Sequence, residues 1–109
     1  MLKIEVILGE NDVMAISEGL KEIGIGGLTV FKVRGRGKNP GPEIHASKGS
    51  EIFTPQFNDK YRMEAIIVDT QEDEVISIIK KRGRVGKIFV SQILRAIDIA
   101  SEEEGESTI

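Results

Sequence analysis

Leu2, Ile4, Val6 and Leu8 alternate with Lys3 and Glu5 at the start of the chain, the period of a strand with one buried face. After Gly9 the spacing changes. Val13, Ile16, Leu20 and Ile23 recur three or four residues apart, which predicts an amphipathic helix with Asn11 or Asp12 as N-cap and Gly24 supplying a left-handed C-terminal turn. The GIGG turn at 24–27 leads into residues 28–34, rich in β-branched and aromatic side chains, and a further strand is predicted over 61–68. A second helix is predicted to begin at Asp69 or Thr70, to place Glu72, Asp73 and Glu74 where the helix dipole favours them, and to bury Val75, Ile78 and Ile79. A short strand follows over 87–90. Residues 91–99, with Ile93, Leu94, Ile97 and Ile99 apolar, read as a short helix or a turn into an edge strand, and the acidic tail over 101–109 reads as frayed.

The order β-α-β-β-α-β is that of a ferredoxin-like α+β sandwich, an antiparallel sheet with both helices on one face. At 109 residues the chain fits a single domain, 1–109. On the face away from the helices, strand parity places Lys3, Glu5, Arg62 and Glu64 beside the apolar Ile7 and Ile66. Such a mixed face suits either a wet oligomer interior or a solvated sheet surface.

Residues 35–60 have no apolar periodicity, and a loop of that length inside a compact domain is usually functional or disordered. It carries Gly35, Gly37, Gly41 and Gly49, three prolines, and Ile44, Ile52, Phe53 and Phe57, apolar groups a purely solvated linker would not need. The alternative is an insertion tolerated at a hairpin tip.

The formal net charge is -3, yet eight of the fifteen Lys and Arg residues fall in two short segments, Arg34, Arg36 and Lys38 in one and Lys80, Lys81, Arg82, Arg84 and Lys87 in the other. Both segments set glycines among the cations beside apolar strands, the arrangement by which backbone N–H groups and positive charge approach a phosphate. Together they predict an anion-binding cleft. For Lys80, Lys81 and Arg82, complementing a helix C-terminus is an equally good account. GRVGK at 83–87 departs from a phosphate-binding P-loop, which needs four residues between its glycines and Ser or Thr after the Lys; an ordinary tight turn explains it as well, and pairing with Gly35 to Lys38 gives it weight.

Absence of cysteine removes disulfides and thiolate metal sites, and the lone His45 leaves little for a histidine-ligated metal or a Ser/His/Asp triad. Glu43 and Glu51 lack an acid/base partner, so no catalytic constellation is visible. Sparse aromatics offer no stacking platform for single-stranded nucleic acid, which disfavours that ligand. With no signal-peptide pattern and no membrane-length apolar run, the expectation is a cytoplasmic protein without direct membrane insertion.

The strings MLKIEVIL, KEIGIGGLTVFKVRGRGK, KGSE, DKYRMEAIIV and GKIFV, in that order and near that spacing, resemble the PII (nitrogen regulatory protein P-II) signalling family over essentially residues 1–100. The resemblance implies a homotrimer of ferredoxin-like subunits that binds ATP or ADP, with or without Mg2+, in clefts between subunits. It also implies a non-enzymatic regulator in nitrogen or amino-acid metabolism that controls a transporter or metabolic enzyme through a long T-loop, here about 36–59. Carried over by position, Gly35, Gly37 and Lys38 match the phosphate-contacting base of the T-loop, Thr29 and Ile66 line the adenine pocket, and Gly86 and Lys87 end the B-loop, here about 82–87 and shortened. Lys38 replaces the family's usual arginine, keeping charge without the bidentate fork. Arg84 stands as a substitute cation.

Asp98 and Ala100 occupy positions where the family carries two arginines, a loss that weakens the case for triphosphate and favours ADP or AMP. Ile52 replaces the tyrosine that is uridylylated in the family, whereas Ser50 matches a serine phosphorylated in some members; Ser50, Glu51, Ile52 and Phe53 form the implied partner-binding stretch. At the 2-oxoglutarate positions stand Asn39, Gly9 and Lys60, of which Lys60 alone is intact, so a weak 2-oxoglutarate response is expected. The alternatives are sensing of another metabolite with AMP, in the manner of bicarbonate sensors, or the weak ATPase activity of some relatives.

Overall fold

The computed structural model describes residues 1–37, the main chain of 44–45 and 52–53, and residues 56–109. The elements run β1 (Leu2–Leu8), α1 (Glu10–Glu22), β2 (Thr29–Gly35), β3 (Ile44–His45), β4 (Ile52–Phe53), β5 (Asn58–Ile67), α2 (Glu72–Arg82) and β6 (Gly86–Gln92). Four strands form one antiparallel sheet in the order β2-β5-β1-β6. The two helices cover one of its faces, as the ferredoxin-like order predicts.

The core lies between that face and the helices. Ile4, Val6 and Leu8 of β1, Met63, Ala65 and Ile67 of β5, Ile16 and Leu20 of α1, and Val75 and Ile79 of α2 are all buried. Fully burying one such side chain stabilises the fold by about 1.5–3 kcal/mol, so this layer dominates stability. Gly19 sits where the helices meet: a Cβ there would stand 2.6 Å from Cγ2 of Ile78. A mid-helix glycine costs about 1 kcal/mol relative to alanine, and close helix approach is what it gives in return.

Gly24 adopts φ +87 and terminates α1 as predicted, with the Gly24 N–H donating to Lys21 O and the Ile25 N–H to Leu20 O, the paired bonds of a Schellman turn. Four expectations are corrected. Gly9, not Asn11 or Asp12, caps α1 at its start, because the Asp12 carboxylate is engaged elsewhere. A single 3-10 turn over Asp69–Gln71 precedes α2, which begins at Glu72. The strand predicted over 61–68 starts earlier, at Asn58, which shortens the long loop, and β3 and β4 pair within that loop as a small antiparallel ribbon. The C-terminal segment forms a hairpin: Ile97 bridges Glu104, the Asp98 N–H donates to Glu103 O, and the Gly105 N–H donates to Ala96 O. Its acidic residues are held by main-chain bonds that a reading of charge and hydropathy does not register.

Candidate functional site

Chain direction brings the two glycine-and-cation segments to one end of the sheet. There β1 and β2 finish, and β5 and β6 begin. They stand on opposite edges, however, since β2 and β6 are the outer strands, separated by three strand spacings, about 14 Å. Within one chain the two segments therefore stand at separate corners of that end of the sheet.

On the β2 edge, Lys60 lies across from Val33. Its side chain passes over the glycines, with Cδ 3.4 Å from where a Gly35 Cβ would be and Nζ 3.5 Å from that of Gly37. Lys60 and Gly37 thus share one corner. Arg34 and Lys32 approach the Asp59 carboxylate at 4.0 and 3.6 Å, and Arg36 lies 5.9 Å from the Phe57 ring centroid. Lys38 and Asn39, and Ser50 and Glu51 of the partner-binding stretch, fall outside the described residues; Ile52 and Phe53 are described by their main chain in β4. Thr29 begins β2, six residues from Gly35, or about 20 Å along a strand. It pairs with Glu64, two residues from Ile66 on the same sheet face. Thr29 and Ile66 are neighbours there, far from Gly35 and Gly37.

On the β6 edge, Gly86 and Lys87 face Leu8 and Ile7 of β1. Gly86 has φ +148, and a Cβ on it would lie 2.0 Å from Ile7 O, so only glycine lets the turn close against β1. Beneath the turn is a hollow of about 230 Å³, floored by Val6, Leu8, Ile16 and Ile79 and rimmed by Lys80 and Arg84. Arg84 is fixed from below. Its main-chain N–H donates to Asp12 Oδ2 and its Nε donates to Asp12 Oδ1, both at 3.0 Å. The Arg84 main-chain bond, opposed by burial and reinforced by the guanidinium, holds the Asp12 carboxyl below its ordinary value of 3.8. This pair joins residues 72 apart, and no local pattern marks it. Arg82, counted with the cationic segment, donates to Ala15 O and Glu22 Oε2 and ties α2 to α1.

At the C-terminal positions, Asp98 Oδ1 accepts the N–H groups of Ala100 and Ser101; those bonds, Ser101's first, hold its carboxyl below the usual range. Asp98 builds a turn. Arg95, nearby, is paired with Glu104. Among the described residues no cluster of His, Asp and Glu could hold a metal ion, and no helix is long and apolar enough to cross a membrane.

The family model described as "Nitrogen regulatory protein P-II" matches residues 1–103. The chain belongs to the P-II family. Relatives include the nitrogen regulatory protein P-II of Pasteurella multocida, 35% identical over 114 residues, and the nitrogen regulatory protein GlnK of Escherichia coli K12, 36% identical over 116 residues, each covering 100% of both chains. A P-II homolog of rice is 36% identical over 109 residues, 95% of this chain and 51% of its own length. The ferredoxin-like expectation and the P-II resemblance are both borne out, and the relatives are named as regulatory proteins.

Proposed function

We propose that this chain is a P-II regulator that acts as a homotrimer, binds adenine nucleotide between subunits, and uses the loop after β2 to control a transporter or metabolic enzyme in nitrogen or amino-acid metabolism. The observation that carries the reading is the separation of the site residues. Gly35 and Gly37 with Lys60, Thr29 with Ile66, and Gly86 with Lys87 form three separate groups in one chain, on the two edges and the uncovered face of the sheet. Each lies at an edge or on the uncovered face, where a second copy can supply what the first lacks. Leu94, Ile97 and Ile99 of the C-terminal hairpin are 84, 53 and 97% exposed, apolar surface that association would cover.

Gly35, Gly37 and Lys38 connect strand to loop, so a nucleotide touching them shifts the loop between states only as far as it binds those states differently. Beyond residue 92, Arg95 is the sole Lys or Arg and it is already paired, which supports a preference for ADP or AMP over ATP. With Gly9 and Asn39 at two of the three 2-oxoglutarate positions, a weak response to that metabolite follows from the same reading.

Calorimetric titration with ATP, ADP and AMP, with and without magnesium and 2-oxoglutarate, tests it. One nucleotide per chain, on a species of three chains by light scattering, is the expected result. Lys87→Ala should weaken binding by about tenfold, the loss of one charge-assisted phosphate contact, while thermal unfolding stays close to that of the parent. Unaltered affinity would remove Lys87 from the site, and absence of nucleotide binding would end the proposal. Phosphate release by the parent well above that of the Lys87 variant would instead favour a weak ATPase.

A further inference from the structure

Asp12 is 6% exposed, whereas the Arg84 side chain that it holds is 70% exposed. A buried carboxylate facing a solvent-exposed arginine is a poor way to gain stability, because an apolar residue at the same place would avoid desolvating a charge. It is an effective way to aim one. Both Asp12 oxygens are occupied on the inner side of Arg84, one by the main-chain N–H and one by Nε. The guanidinium is a rigid plane, so a fixed Nε fixes the direction of the two outer nitrogens. Among the described residues those two make no hydrogen bond, and the side chain is 70% exposed, on a residue two positions before the glycine that begins β6.

We propose that Asp12 is a positioning residue for the nucleotide: it sets the main chain of 83–86 and presents the outer nitrogens of Arg84 to the phosphate furthest from the ribose. The inference rests on the reading of this edge as a phosphate site. Gly86 and Lys87 are locked into the sheet by their pairing with β1. Arg84 lies further out, past the end of the sheet and on the side of α1, so a phosphate chain that starts at the Gly86 turn and runs outward reaches Arg84 last. Lys80 rims the same hollow on α2, but it is not held in an ion pair there among the described residues, and its ammonium is a point charge on a flexible stem. Arg84 is the cation whose direction is built in.

The test is calorimetric titration of the parent, Asp12→Asn, Arg84→Gln and the double variant with ATP, ADP and AMP. Asparagine keeps the shape of Asp12 and one acceptor but removes its charge. Affinity for ATP should fall about tenfold in either single variant, as for one charge-assisted contact, while affinity for AMP changes less than about twofold, within the usual range for a contact not made. The double variant should lose no more than Arg84→Gln alone, because the two act as a unit. If Asp12→Asn does not fold, Arg84→Lys, which keeps the charge without the fork, should lower ATP affinity relative to that for AMP in the same way. A parent that binds nucleotide while the variants lower ATP and AMP affinity by one common factor, or by none, overturns the role of Asp12 and leaves the site standing. A parent that binds neither overturns both.

Discussion

The two faces of the sheet use similar side chains to opposite ends. Toward the helices, β1 and β5 present Ile4, Val6, Met63 and Ile67, none more than 5% exposed. On the other face, in one row across all four strands, stand Lys87, Ile7, Arg62 and Phe31, and in the next Phe89, Glu5, Glu64 and Thr29. Phe31 and Phe89 are 38 and 50% exposed. The Arg62 guanidinium lies 4.5 Å from the Phe31 ring centroid, and its Nε comes within 3.3 Å of Glu64 without hydrogen-bond geometry, leaving it buried and unsatisfied. The covered face is finished within one chain. The uncovered face has charges lacking full partners and aromatics lacking cover, a condition that association with other copies would relieve.

If this contrast holds, the largest losses come from the covered face. Met63→Ala, at 1% exposure, should destabilise the isolated chain by about 2–5 kcal/mol through lost burial and the cavity left behind, read as a lower urea midpoint with an unchanged slope. A loss below about 1 kcal/mol would mean that the layer collapses around the gap. Gly86→Ala should come next, at about 3 kcal/mol, because its Cβ would be driven into Ile7 O in a backbone region that disfavours side chains. Its damage should be local: hydrogen exchange should speed in β6 before it does in β5, and uniform acceleration would contradict an edge effect.

How much of this is legible in the sequence divides along the same line. Alternation in β1 and the three-to-four spacing in α1 and α2 announce the covered face directly, since burial imposes a period. Gly24 at the end of α1 is legible because one residue type answers one backbone need. Asp12 is not: its chemistry fits a helix cap, and only the fold reveals Arg84 beside it. Gly19 and the C-terminal hairpin escape for related reasons, one depending on a neighbouring helix, the other on main-chain bonds. The glycine-and-cation segments are legible as candidate phosphate-binding chemistry, whereas their placement on opposite edges is a property of strand order. Several of their cations also prove to have protein partners, Arg82 with Glu22 and Arg34 with Asp59 among them.

A smaller effect comes from the Asp12 contact. Its folded carboxyl titrates below the ordinary value of 3.8, through the Arg84 main-chain bond above all, so the unfolded state binds the proton more readily. The stabilisation is therefore fully present above the unfolded value and lost as pH falls through the lowered folded one. At neutral pH, Asp12→Asn should cost about 1–2 kcal/mol, the range for a hydrogen bond to a charged group beside a largely hydrated partner. Below about pH 4 the difference between parent and variant should shrink, as protonation removes the charge that the substitution removes. A difference that stays constant across that range would show that the contact does not depend on ionisation.

The smallest effect on the chain itself, and the sharpest test of the contrast, is Phe89→Ser. Phe89 is as large as any core side chain, yet at 50% exposure its removal should change the stability of a dilute, unassociated chain by no more than about 0.5 kcal/mol. If copies cover the uncovered face, the parent's unfolding temperature rises with protein concentration, because association stabilises by mass action. The variant should lose that dependence and sediment as a smaller species, with unchanged secondary structure by circular dichroism. A variant as destabilised as Met63→Ala at every concentration would place Phe89 in the fold of the single chain. A variant that assembles as the parent does would leave this face a solvated surface, and the aromatic row across it would need another explanation.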